Sequence, residues 1–152
     1  MKPKEFISAV LAYQMRAVVE CHPYLSFVII AVGIEFLGKC MLTKYQNWHN
    51  IDPSKAFDAG IKLLVEVDKR YGEISLKENL RNGLVHSLLP KSGIDLSERK
   101  HNEKNFQKSK RGETIIVVED FYDDFVSACK IVLDKEFPQN DKMNKNFLYV
   151  GE

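Results

Sequence analysis

The sequence predicts a mainly α-helical protein, an all-α up-and-down bundle of about five helices with a β-hairpin inserted before the last one. Three observations carry that expectation. Apolar residues recur at helical spacing along most of the chain. Start and stop signals divide it, among them Asp52-Pro53, Ser75-Leu76-Lys77-Glu78, Gly72, Pro90 and Pro138. The longest β-branched run, Thr114-Ile115-Ile116-Val117-Val118, is still short and comes late.

The first helix is expected from Pro3 to Val19, with Pro3 in the first turn and Phe6, Val10, Tyr13 and Ala17 as its apolar stripe. His22-Pro23 breaks it, because a residue before proline avoids the helical region. The second, Tyr24 to Tyr45, is apolar on most faces over its first half and reads as the central buried helix. Glu35 and Lys39 within it favour a bundle helix over a membrane span. Asp52 caps a third helix, Pro53 to Tyr71, whose stripe is Phe57, Ile61, Leu64 and Val67 and which Gly72 ends. Ser75 to Glu78 form a capping box that starts a fourth, containing Leu80, Arg81, Leu84, Val85 and Leu88 and stopping before Pro90. Ile94-Asp95-Leu96 and the β-branched run then form the expected hairpin. Asp120 caps a fifth helix, Phe121 to Phe137, with Phe125, Cys129 and Val132 inward.

A chain of 152 residues, 45% of them apolar, fits one domain with a real core. That domain is placed at residues 1–137, with a polar tail over 138–152. The N-terminal MKPKEF lacks an apolar run with a small-residue cleavage site, so no secretory signal is expected and the setting reads as cytoplasmic. Cys21, Cys40 and Cys129 are scattered and odd in number, which suggests reduced thiols and no metal site.

The net charge of +1 is uninformative, but its distribution is uneven. From Arg99 to Arg111, six Lys or Arg stand against Glu103 alone. Arg99, Lys100, Lys104, Lys108, Lys110 and Arg111 are therefore candidates for tracking an RNA backbone, and a solvated loop is the plainer alternative. The run is placed at the tip of the hairpin.

The chemistry-bearing segment is Arg81-Asn82-Gly83-Leu84-Val85-His86. Arginine offers a permanent cation with paired donors, and histidine exchanges a proton near neutral pH. With the amide of Asn82 these are the groups of metal-independent phosphodiester cleavage: a phosphate clamp, a general acid or base and an orienting donor. On an ideal α-helix residues five apart lie about 140° apart, so Arg81 and His86 do not stack, whereas Asn82 and His86, four apart, do. The same letters also fit a helix histidine without a role and a surface arginine paired with Glu78. Glu35, charged among apolar neighbours, is expected to meet Arg81 or Lys39 and so either to support the site or to satisfy a core charge.

A polar residue directly after the arginine, four residues between arginine and histidine, and the wording LRNGLVHS late in a small bundle resemble the HEPN superfamily. The resemblance implies a helical bundle that dimerises across the motif helices, with Arg81 and His86 as catalytic residues and Asn82 in the polar position. It implies a metal-independent ribonuclease of toxin–antitoxin or phage-defence type, with RNA as substrate, no cofactor, and an antitoxin as a further partner. It equally implies a non-catalytic module that binds RNA, a nucleotide or a protein.

Overall fold

A computed structural model describes residues 2–139. The expected polar tail lies almost wholly outside the described residues. Five helices and one small sheet make up the rest, so the mainly α-helical class holds.

Helix α1 covers residues 3–21, α-wound at Pro3–Phe6, π-wound at Ile7–Gln14 and α-wound again at Met15–Cys21. Its buried stripe is Ile7, Leu11, Met15 and Val19, not the expected Phe6, Val10, Tyr13 and Ala17; Tyr13 is 78% exposed. A strict spacing of four drifts around an α-helix. The slacker π turns offset that drift and hold the four residues on one face. His22 then adopts φ −139°, and Pro23 opens α2, Pro23–Leu42.

Helix α2 is central, as expected, but not buried all round. Phe27, Ile30, Ile34, Leu37 and Cys40 face the core, while Leu25, Ile29 and Val32 are exposed. Helix α3, Pro53–Val67, starts at Asp52, whose carboxylate accepts the Lys55 N–H at 2.9 Å. It presses closely on α2. A Cβ on Gly38 would lie 1.7 Å from the Ala56 carbonyl oxygen, and one on Gly60 would lie 2.1 Å from that of Ile34. Asp68 ends α3 earlier than expected by capping a 3-10 turn, Lys69–Glu73, through the Arg70 N–H.

Helix α4 spans residues 76–87 and is π-wound over Lys77–Val85. It starts where expected, but the capping box does not form. Glu78 bonds Asn82 and Lys91 instead.

The expected hairpin is corrected. Strands β1, Ile94–Ser97, and β2, Thr114–Val117, pair in parallel, with Ile94 opposite Thr114 and Ser97 opposite Val117. Every residue of β2 is buried. A run buried on both faces has no polar alternation, which suits a parallel strand rather than one arm of a half-exposed hairpin. The basic run is thus the crossover connection, not a hairpin tip. It turns through Asn102, Phe106 and Gly112 at positive φ and lays Phe106 and Gln107 against Ile115 by backbone bonds of 2.8 Å. Helix α5, Val118–Asp134, follows β2 directly, three residues before the expected start. Phe121, Phe125, Cys129 and Val132 face inward, and the Phe27 and Phe121 rings stack at 6.1 Å. Burial pushes the Cys129 thiol up to about 12 and the Cys40 thiol further; Cys21 is exposed.

Candidate functional site

The chemistry-bearing helix α4 packs across α2. Its π winding changes the expected geometry. A hydrogen-bond repeat of five widens the turn and brings residues five apart closer round the axis than α winding does. Arg81 and His86 are therefore set less far round the axis than α-helical winding would set them.

Arg81 is held from two sides. Its Nε donates to Glu35 Oε2 of α2 at 3.3 Å, and its Nη1 donates to Asn82 Oδ1 at 3.1 Å. The Arg81 side chain is 18% exposed and that of Glu35 is 27% exposed. Glu35 also meets Lys39 Nζ at 3.8 Å, so both expected cations converge on it. Asn82 passes the chain on by donating to Glu78 Oε1 at 2.8 Å, and Glu78 Oε2 meets Lys91 Nζ at 3.2 Å. Lys91 foremost, then Asn82, hold the Glu78 carboxyl below its usual range. Asp52 is held low chiefly by the Lys55 N–H, and the Arg81 charge contributes weakly. Asn82 thus bonds Arg81 and Glu78, and no hydrogen bond joins it to His86 among the described residues.

His86 differs. Its side chain is exposed and makes no hydrogen bond among the described residues. It closes the π segment at φ −92°, ψ −27°. The chain then folds back. Ser87 Oγ donates to the Gly83 carbonyl at 2.6 Å, and Tyr24 Oη donates to the Leu88 carbonyl. Gly83 is needed there, since a Cβ would sit 2.9 Å from both Leu89 O and Lys91 N.

Beside this face lies an apolar surface. Tyr24, Leu25, Ile29 and Val32 of α2, with Leu88 and Leu89 beyond α4, are large exposed apolar side chains. The stripe runs along α2 toward Glu35.

The basic run is engaged elsewhere. Arg99 bonds Asp120 and Asp123 of α5, each at 2.8 Å. Lys100 meets Glu98 at 2.8 Å, Arg111 meets Asp95 of β1, and Lys108 donates to Thr114 Oγ1 at 2.9 Å. Lys104 and Lys110 are exposed and carry no side-chain partner among the described residues. Asp120 is thus an ion-pair partner rather than the expected helix cap.

The sequence points to Arg81, Asn82, His86 and Glu35, and the structure joins Arg81 to Glu35 and Asn82 but gives His86 no such bond; Tyr24, Lys91 and the role of Glu78 as the anchor of Asn82 were not expected. The i,i+4 spacing of Glu78 and Asn82 was a usable signal. Nothing local marks Tyr24 or Lys91, whose partners arrive through the fold. Comparison of the chain with protein-family models, with curated proteins and with solved structures finds no match.

Proposed function

We propose that the protein is a metal-independent endoribonuclease of HEPN type that acts as a homodimer. What supports this reading is a tethered guanidinium and an open imidazole carried by the same short helix, α4. Glu35 takes Arg81 Nε and Asn82 takes one Nη1 proton, which leaves Nη protons for a phosphodiester oxygen. His86 is free to exchange a proton with a 2′-hydroxyl or a leaving 5′-oxygen. The 2′-oxygen attacks phosphorus, the P–O5′ bond breaks, and the products are a 2′,3′-cyclic phosphate and a 5′-hydroxyl.

In a concerted displacement one imidazole is not base and acid at the same moment, whereas two divide the roles between them. A two-fold dimer through α4 and the Leu25–Ile29–Val32 stripe supplies the second histidine and covers the apolar surface. The setting we propose is cytoplasmic, with an antitoxin as a further partner.

The test is incubation of the purified chain with RNA in excess chelator. Cleavage to cyclic-phosphate ends that His86→Ala abolishes supports the reading; cleavage indifferent to that change defeats it. Val32→Glu, which puts a charge in the stripe, is expected to yield monomer and to lose activity.

One observation favours a second reading. Arg81 is already paired inside one subunit, as a structural or purely binding arginine would be. A non-catalytic module predicts RNA or nucleotide binding that Arg81→Ala weakens, with no turnover.

A further inference from the structure

We infer that Tyr24 is a positioning residue for His86, acting through the backbone turn that follows the histidine; the inference rests on the ribonuclease reading. The two members of the pair are held by different means. Arg81 is fixed by its own side chain, bonded to Glu35 and Asn82. His86 has no side-chain partner among the described residues, so its direction is set by where the backbone of its turn lies.

That turn is the end of a helix, where backbone carbonyls lack partners and the chain frays. Here it is also strained. Leu88 adopts φ 57°, a left-handed conformation that helix ends usually give to glycine. The return segment is folded against Gly83, and its far end is tied by Lys91 to Glu78. At its near end the tie to the rest of the bundle is the phenol of Tyr24, which donates to the Leu88 carbonyl. Tyr24 sits in the first turn of α2, behind Pro23, which makes it a fixed post. Helix α2 therefore grips the Arg81–His86 segment at both ends, with Glu35 at the arginine and Tyr24 just past the histidine. The eleven-residue separation of those two posts, about 16 Å along an α-helix, sets how Arg81 and His86 stand to one another.

Tyr24→Phe removes the hydroxyl and keeps the ring, so the apolar stripe is preserved. Tyr13→Phe is the control, since that hydroxyl is exposed and unbonded. The readouts are RNA cleavage, oligomeric state and the His86 ring-proton NMR resonances, assigned with His86→Ala. Tyr24→Phe is expected to shift and broaden the His86 resonances and to lower kcat about tenfold with KM unchanged. Tyr13→Phe should change neither. Resonances and kcat that stay at wild-type values in Tyr24→Phe overturn the inference. So does a loss of activity accompanied by dissociation, which would place the effect in assembly, or an equal response in Tyr13→Phe. If the unaltered chain cleaves no RNA, the ribonuclease reading has failed. The resonances alone then decide whether Tyr24 holds the His86 turn.

Discussion

Glu35 and Arg81 join α2 to α4 by a bond of 3.3 Å between two side chains that are each less than a third exposed. The pair has two consequences. It satisfies a carboxylate that sits among apolar sequence neighbours, and it engages the guanidinium through Nε, leaving Nη protons without a bond to α2 among the described residues. Glu35→Gln keeps an acceptor but removes the charge. We expect RNA cleavage to fall about tenfold and stability by about 1 kcal/mol. Glu35→Ala leaves Arg81 half-buried with one partner fewer and should cost about 2 kcal/mol. Chelated cleavage assays and urea denaturation check both. Wild-type rate and stability in Glu35→Gln would remove Glu35 from the site.

The basic connection yields a prediction that separates its cations. Arg99 ties the connection to Asp120 and Asp123, an exposed network worth at most about 1 kcal/mol. Lys104 and Lys110 carry no such partner. If RNA tracks this surface, Lys104→Ala and Lys110→Ala should each lower the salt dependence of binding by about one phosphate contact. Arg99→Ala should lower stability more than it lowers that slope. Salt slopes that match the parent's in all three variants would mean that RNA does not use the connection.

Much of this arrangement was legible in the sequence, and the misses have physical causes. Asp52-Pro53 marked a helix start because a cap and a first-turn proline act within four residues. Arg81, Asn82 and His86 were legible as chemistry. Their relative placement was not, because π winding is a choice of the packed helix and the spacing was read on an α-helix. The parallel pairing of β1 and β2 was missed although β2 carried its sign, four consecutive buried residues without alternation. The stripe of α1 failed for the same reason as α4, since its winding is not α throughout. Tyr24 reaches Leu88 across 64 positions, beyond any local pattern.

The contact of α2 with α3 makes Gly38 and Gly60 the least replaceable residues of the core. A methyl on Gly38 would overlap the Ala56 carbonyl at 1.7 Å, and both obstacles are backbone, which cannot rotate aside. Gly38→Ala and Gly60→Ala should each destabilise by about 3 kcal/mol or more, as helices forced apart lose packing along their length. Gly72→Ala is the internal comparison, since its nearest neighbour is the Val65 side chain at 3.6 Å and the change should cost little. Thermal melts order the three variants. A Gly38→Ala melt matching that of Gly72→Ala would show the helices further apart than described here.

Asp124 supplies the pH dependence. Its carboxylate on α5 accepts the Tyr71 Oη–H at 2.7 Å. Burial raises the Asp124 carboxyl above its ordinary 3.8, with smaller increments from the charges of Asp68, Asp120 and Asp123; the Tyr71 hydrogen bond only partly offsets this. Burial in turn pushes the Tyr71 phenol up, with Asp124 as the second cause. A carboxyl that holds its proton longer folded than unfolded contributes full stability below the unfolded value, and the contribution is lost as pH rises through the raised value. Asp52, Asp68 and Glu78 are lowered and act in the opposite sense, losing stability as pH falls. They are common to a variant and its parent, so a difference measurement removes them. Asp124→Asn keeps an acceptor for Tyr71 and cannot ionise. Its urea midpoint relative to the parent should therefore rise as pH climbs above about 4 and then level off once the Asp124 carboxyl has ionised. A relative midpoint that stays constant over that range, or falls, would show that Asp124 ionises as freely in the folded chain as in the unfolded one.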